Sequence, residues 1–173
     1  MPFRFTFGTV GSTTELRQTI DFLAKQGLGY KNYDRWVQKT ESEIDLGVKT
    51  AIIALSEGRI VGDLIFQNHK NLPRTLELKN LRTDLKGRYF SRFMLKQAES
   101  ERGNCELIMC DVREDNKEII SFMLSSGYAP LAKGINLYDR QSRDIVFIKT
   151  FNAKTREGIV YQAKNLVLSQ SLS

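Results

Sequence analysis

Asp115-Asn116-Lys117-Glu118-Ile119-Ile120-Ser121-Phe122-Met123-Leu124-Ser125-Ser126-Gly127-Tyr128 follows directly on an apolar run, Cys105-Glu106-Leu107-Ile108-Met109-Cys110-Asp111-Val112. The order reads as a strand, a short loop, a helix of about three turns and a glycine-aromatic exit. Asn116 has the side chain to cap the helix start. Ile119, Ile120, Phe122, Met123 and Leu124 supply an apolar face. Gly127 supplies the left-handed residue that stops the helix.

Upstream lies a second strand and helix. Thr75 to Thr83 reads as a strand, and an amphipathic helix follows from about Arg88 to Arg102. Phe90, Phe93, Met94, Leu95 and Ala98 form its apolar side, and Gly103-Asn104 end it. With Cys105–Val112 this makes a strand-helix-strand unit, usually a right-handed crossover between parallel strands. The loop Thr83-Asp84-Leu85-Lys86-Gly87-Arg88-Tyr89-Phe90-Ser91 therefore opens at a helix N-terminus. Unpaired amides and the helix dipole attract phosphate at such a place, and Lys86, Arg88 and Arg92 add positive charge. A plain basic helix start accounts for the loop equally well.

The spacing of Asn116, the apolar positions and Gly127-Tyr128 resembles the second cofactor-binding motif of the GNAT acyltransferases. Lys86 to Leu95 is similar to that family's pyrophosphate loop and the helix after it, with Lys86, Tyr89 and Ser91 on its three motif positions. Tyr89 stands where the family commonly has glycine. The resemblance covers most of Thr50 to Phe151. It implies an α/β fold of GNAT type: a single domain with a mixed, twisted central sheet and helices on both faces. Residues 1–151 would form the transferase domain, with a strand and two helices in 1–48 and the cofactor-binding core in 49–151. Residues 152–173 would be a C-terminal extension. The implied activity is acetyl transfer from acetyl-CoA to a primary amine of a small molecule or protein.

The same resemblance assigns the site. Leu81, Arg82 and Thr83 would offer main-chain groups to the pantetheine arm. Lys86, Gly87, Arg88, Tyr89, Phe90 and Ser91 would hold the pyrophosphate. Asn116 would lie near the pantetheine or the thioester. Glu77, in the fourth strand, would act as the base that frees the amine, although it also reads as a surface carboxylate paired with Lys79 or Arg74. Met123 falls where the family usually has a proton-donating tyrosine, and thioether sulfur has no proton to give. Tyr138 is the substitute donor, and Tyr128 a packing residue. Tyr30, Tyr33 and Trp36 would line the acceptor site, or else pack as an amphipathic helix does.

The rest of the chain is read from periodicity. Phe3, Phe5 and Phe7 alternate as in a half-buried strand. Ser12-Thr13-Thr14-Glu15 has capping-box spacing, Leu16, Ile20 and Leu23 follow at helical intervals, and Gly27 and Gly29 close the segment. Asn32 to Leu46 reads as a second helix with Tyr33, Trp36, Val37 and Ile44 as its apolar positions. Thr50–Leu55 and Arg59–Gln67 flank Ser56-Glu57-Gly58 as a hairpin. Gly62 marks a bulge or a close backbone approach. Ala132–Tyr138 and Arg143–Phe151 form a closing hairpin. In the tail, Gly158 to Tyr161 reads as a strand and Ala163 to Leu168 as a short helix.

Composition narrows the function classes. The 173 residues suffice for one domain with a full core. No apolar run approaches the roughly 18 residues of a membrane helix, and the N-terminus lacks the order of a signal peptide. The expectation is a cytoplasmic protein. Cys105 and Cys110 fall at odd separation in one expected strand, facing opposite sides, so a disulfide is not expected. A single histidine, His69, leaves no His/Cys metal site and no Ser-His-Asp pattern. The net charge of +6 fits a basic surface, an anionic-cofactor site or an RNA surface, but basic residues do not interleave with aromatics.

Overall fold

The structure, a computed structural model, describes residues 5–27, 32–84, 89–138 and 142–171. The element order is β1 (Phe5–Thr9), α1 (Thr13–Gln26), α2 (Tyr33–Asp45), β2 (Lys49–Ser56), β3 (Arg59–Asn68), β4 (Thr75–Thr83), α3 (Phe90–Ser100), β5 (Leu107–Arg113), α4 (Lys117–Ser125), β6 (Ala129–Ile135), β7 (Asp144–Thr150) and α5 (Arg156–Ser171). The seven strands form one mixed sheet in the order β1-β2-β3-β4-β5-β7-β6. β4 and β5 run parallel, as the strand-helix-strand reading requires, and the β2–β3 and β6–β7 hairpins are antiparallel. The described residues fall into two compact units, Met1–Gln67 with Lys79–Glu101, and Asn68–Leu78 with Arg102–Ser173.

In the first unit, Ser12 Oγ accepts the Glu15 N–H at 3.2 Å, and Glu15 Oε2 reaches back to the Gly11 N–H at 2.9 Å. These bonds satisfy two donors at the start of α1. Leu23, Tyr33, Val37, Ala51 and Ile65 make the core between the helices and the sheet. Leu23, Val37 and Ile65 each contribute roughly 1.5–3 kcal/mol on burial. Lys49 lies buried beneath α2. Its Nζ donates to Thr40 Oγ1 at 2.8 Å and pairs with Glu43 Oε2 at 2.7 Å. Burial, more than the opposing Glu43 contacts, lowers its pKa.

β2 and β3 turn through the two residues Glu57-Gly58, with a register shift between Ala54 and Leu55 opposite Gly62. A Cβ added at Gly62 would stand 3.0 Å from the Arg82 carbonyl oxygen and 3.1 Å from the Met94 methyl. The close approach is therefore real. Glycine costs a strand roughly 0.5–1 kcal/mol, less than a backbone clash would.

α3 lies against the first strand. The Phe90 ring packs 4.4 Å from Phe5 and 5.8 Å from Phe7 between centroids. Met94, Leu95 and Ala98 are buried as expected, but Phe93 is 60% exposed, its ring centroid 5.6 Å from that of Phe7.

The second unit has its own core of Leu72, Leu107, Met109, Ile135, Val146, Ile148, Ile159, Ala163 and Val167. α4 begins and ends as its sequence dictates. Asn116 Oδ1 accepts the Ile119 N–H at 3.2 Å. At the other end Gly127 has φ +84°, Tyr128 N–H bonds to Met123 O and Gly127 N–H to Leu124 O. That is a Schellman ending, which needs the left-handed residue glycine provides. Only Met123 of the expected apolar face is fully enclosed; Leu124 is exposed.

Three expectations are corrected by the structure. The tail is one helix, α5, rather than a strand and a short helix; Ile159, Ala163 and Val167, four residues apart, bury one stripe of it. Cys105 precedes β5, so the opposite-faces argument does not apply to it; its thiol donates to Asn68 Oδ1 at 3.6 Å. β6 starts three residues earlier than expected and contains Pro130, which an edge strand tolerates because it can spare an N–H. His69 lies in the loop after β3, where its Nδ1 accepts the Asn71 and Leu72 N–H groups, each at 3.1 Å.

Candidate functional site

Leu81, Arg82 and Thr83 are the last, half-buried residues of β4, and all belong to the first unit. Asp84 N–H, directly after them, bonds to Val61 O at 2.9 Å. Arg82 Nε is buried with no hydrogen-bond partner among the described residues. Lys86, Gly87 and Arg88 lie outside the described residues. Tyr89 caps the start of α3 with φ +59° and ψ 5°. That is the left-handed region, which costs a non-glycine residue roughly 1–2 kcal/mol. The position the motif gives to glycine thus has a glycine-like backbone, although tyrosine occupies it. Its carbonyl accepts the Arg92 and Phe93 N–H groups at 3.0 and 3.2 Å, while its side chain is 74% exposed. Phe90 is buried and Ser91 half-buried on the first turn.

A stability test follows from Tyr89. The side chain packs on little, so its removal is cheap, and the backbone strain dominates. Tyr89→Gly is expected to exceed Tyr89→Ala in stability by about 1 kcal/mol, because alanine keeps the Cβ and glycine relieves it. Urea unfolding of the two variants measures the difference. Equal midpoints would show that the residue is not held at positive φ in solution.

Of the aromatics expected near an acceptor, Tyr30 lies outside the described residues. Tyr33 is buried in the first core, and its hydroxyl donates to Leu23 O at 2.8 Å. Trp36 is half-buried; its ring centroid stands 5.7 Å from that of Tyr33 and 5.2 Å from Lys49 Nζ.

The first unit also holds a carboxylate that the sequence pattern does not single out. Asp63, in β3, is fully buried. Asn80 Nδ2 donates to its Oδ2 at 2.6 Å and Gln26 Nε2 to its Oδ1 at 3.4 Å. Desolvation outweighs these bonds and the charge of Arg82, and pushes the Asp63 pKa up to about 6.

In the second unit, Glu77 is a half-buried β4 residue opposite Met109 in the parallel register. Asp111 stands two residues further along β5. Tyr138, just after β6, donates its hydroxyl to Asp111 Oδ1 at 3.0 Å. Tyr138 is 62% exposed; partial burial, then the charge of Asp111 and its hydrogen bond, then the charges of Glu77 and Asp144, raise the phenol pKa above its ordinary range. Glu77, Asp111 and Tyr138 therefore share one neighbourhood. Asp144 is buried at the start of β7, opposite Ile135 at the end of β6.

Asn116 is half-buried, with its side-chain oxygen committed to the α4 cap. Met123 is buried, so a tyrosine hydroxyl at that position would enter the packed interior. Tyr128 is buried beneath Lys149, whose Nζ lies 5.4 Å from the ring centroid, and it serves packing as expected. Among the described residues, no helix is long and apolar enough to cross a membrane.

No family model matches the chain, and neither does any curated protein. Solved structures do. A putative acetyltransferase of the GNAT family from Desulfovibrio desulfuricans superposes with a TM-score of 0.73 at 9% identity, over 85% of this chain and 99% of that one. The ribosomal-protein-S18-alanine N-acetyltransferase of Escherichia coli gives 0.65 at 14% identity, over 85% and 94%. A putative acetyltransferase from Salmonella typhimurium, solved with its cofactor acetyl-CoA, gives 0.66 at 13% identity, over 86% and 95%. With its mixed seven-stranded sheet, parallel β4–β5 pair and closing hairpin, this chain has the fold of the GNAT acetyltransferases.

Proposed function

We propose that this protein is an acetyl-CoA-dependent N-acetyltransferase acting on a primary amine of a small molecule or a protein, carried by residues 1–151. The observation that carries the reading is the likeness of fold over most of the chain to acetyltransferases, one of them solved with acetyl-CoA. Fold alone does not establish chemistry, so the residues must supply their own support. The left-handed backbone at Tyr89 supports a phosphate-binding start to α3, because it occurs at the motif's glycine position. A helix N-terminus flanked by arginine offers what a pyrophosphate needs.

In this reading Leu81, Arg82 and Thr83 hold the pantetheine arm through their main chain. Lys86, Gly87, Arg88, Tyr89, Phe90 and Ser91 hold the pyrophosphate. Asn116 orients the neighbourhood of the thioester by fixing the start of α4. Acetyl-CoA, when bound, supplies the activated acetyl group. Glu77 takes the proton from the incoming amine, and Tyr33 and Trp36, with Tyr30, shape the acceptor side. The cell compartment proposed is the cytoplasm.

The buried Met123 and the tyrosine at position 89 favour one alternative, a GNAT-like module that binds coenzyme A without catalysis. A protein directed at RNA rests on net charge alone, and steep loss of RNA binding with salt would be its sign. Calorimetry tests the cofactor directly. Acetyl-CoA is expected to bind, and a bulky residue in place of Gly87 to weaken binding about 10-fold or more, since backbone must approach phosphate closely there. No heat at millimolar acetyl-CoA would end the proposal. Binding without thioester consumption across an amine panel would select the inactive module.

A further inference from the structure

We infer that Tyr138 positions the acceptor amine through the lone pairs of its hydroxyl, and that Asp111 is the positioning residue that keeps the hydroxyl proton turned away. This rests on the transferase reading above and changes the role of Tyr138 within it, from proton donor to hydrogen-bond acceptor.

The geometry begins with one bond. Tyr138 Oη donates to Asp111 Oδ1 at 3.0 Å. A tyrosine hydroxyl has one proton and acceptor capacity besides. Once the proton is given to a carboxylate, only acceptor capacity is left. An amine N–H is complementary to that. A departing thiolate is not, because it needs a proton. Acidity gives the same answer. Desolvation and the Asp111 carboxylate hold the phenol above its ordinary range, and a free thiol has a pKa near ~8.5. Passing the Tyr138 proton to a thiolate therefore runs uphill.

The surrounding structure fixes the pair. Asp111 sits in β5, paired through the ladder with Val146 of β7. Ile135, the last residue of β6 and three residues before Tyr138, pairs with Asp144 of β7. The residue Tyr138 is thus carried by the β6–β7 hairpin while its hydroxyl is held by β5, and β7 pairs with both strands. It also feels the charge of Glu77, the proposed base. A hydroxyl that accepts from the amine and a carboxylate that removes its proton are complementary parts for one nucleophile.

Kinetics with an amine that the unaltered protein acetylates separates the two roles. Tyr138→Phe is expected to raise KM for the amine about 10-fold, the size of one hydrogen bond, with kcat nearly unchanged. The loss should not depend on the thiol pKa of the acetyl thioester. Asp111→Ala should match it, Asp111→Asn, which still accepts from Oη, should recover most of it, and the Asp111→Ala/Tyr138→Phe double variant should be no worse than either single one. A loss in kcat that grows with the leaving thiol's pKa would restore the proton-donor role and overturn the inference. So would an unchanged amine KM in Asp111→Ala. Ultraviolet titration of tyrosinate reads the pairing without any activity. Asp111→Asn should lower the pH at which one tyrosine ionises relative to the unaltered protein, and adding Tyr138→Phe should remove that tyrosine from the titration. No downward shift would overturn the pairing. Absence of all turnover would instead count against the transferase reading.

Discussion

Glu77→Gln is expected to lower turnover about 100-fold near pH 7, the lower end of what general acid-base catalysis contributes. An alkylamine with a pKa near ~10.4 is almost wholly protonated at that pH, and only the neutral form attacks. Glutamine has the shape of glutamate but cannot take the proton. As pH rises, free amine becomes abundant and the need for a base shrinks, so the deficit should close to a few-fold near pH 10. The position of Glu77 suits a base. It is a β4 residue half-open to its surroundings, beside β5, and its charge is felt at Tyr138. The measurement is kcat/KM for the amine against pH in both proteins. Parallel profiles would remove Glu77 from proton transfer, whatever the size of the loss.

How much of the fold is legible in the sequence depends on range. β4 runs from Thr75 to Thr83 as its residues indicated, and α4 is bounded by Asn116 and Gly127 because both ends are local chemistry: a cap and a left-handed stop. Gly62 was legible for a similar reason, since a lone glycine in an apolar strand signals something close by. The start of α5 reads as a strand because Gly158-Ile159-Val160-Tyr161 is rich in strand-favouring residues. The four-residue spacing of Ile159, Ala163 and Val167 was the stronger signal, and tertiary burial chose it over propensity. Periodicity alone places Phe93 and Leu124 on buried faces. The true buried stripes are narrower than the apolar positions available.

The Asp111–Tyr138 bond had no local signature at all. It joins residues 27 apart and exists because β7 lies between β5 and β6 in the sheet. Only strand order creates that neighbourhood. The likeness to solved structures has the same character. At 9–15% identity the fold superposes over most of the chain while few side chains are shared, so fold was readable and substrate was not.

Asp63 is expected to make the protein less stable at neutral pH than near pH 4, by roughly 2–3 kcal/mol from this residue alone. The size follows from the shift: the side chain moves from its ordinary 3.8 to about 6, and each pKa unit is worth about 1.36 kcal/mol. The sign follows from linkage. A carboxyl with a raised native pKa binds its proton more tightly when folded, so between pH 4 and 6 the unfolded chain loses its proton first. Stability therefore falls as pH rises through that window and levels off above it. Other groups pull the opposite way. Glu106, which accepts from Thr155, Asn152 and Arg74, has its pKa lowered by those bonds. The informative quantity is thus the difference between the unaltered protein and Asp63→Asn, which cancels every other titration. Asparagine fits the site: its oxygen can accept from Asn80, and its amide can donate to Gln26 Oε1, which has no partner among the described residues, if the Gln26 amide turns over. Urea unfolding of both proteins from pH 4 to pH 7.5 should show the variant gaining roughly 2–3 kcal/mol over that range relative to the unaltered chain. A difference that stays flat with pH would mean that Asp63 is not desolvated in solution, whether through water entry or through a cation brought close to it.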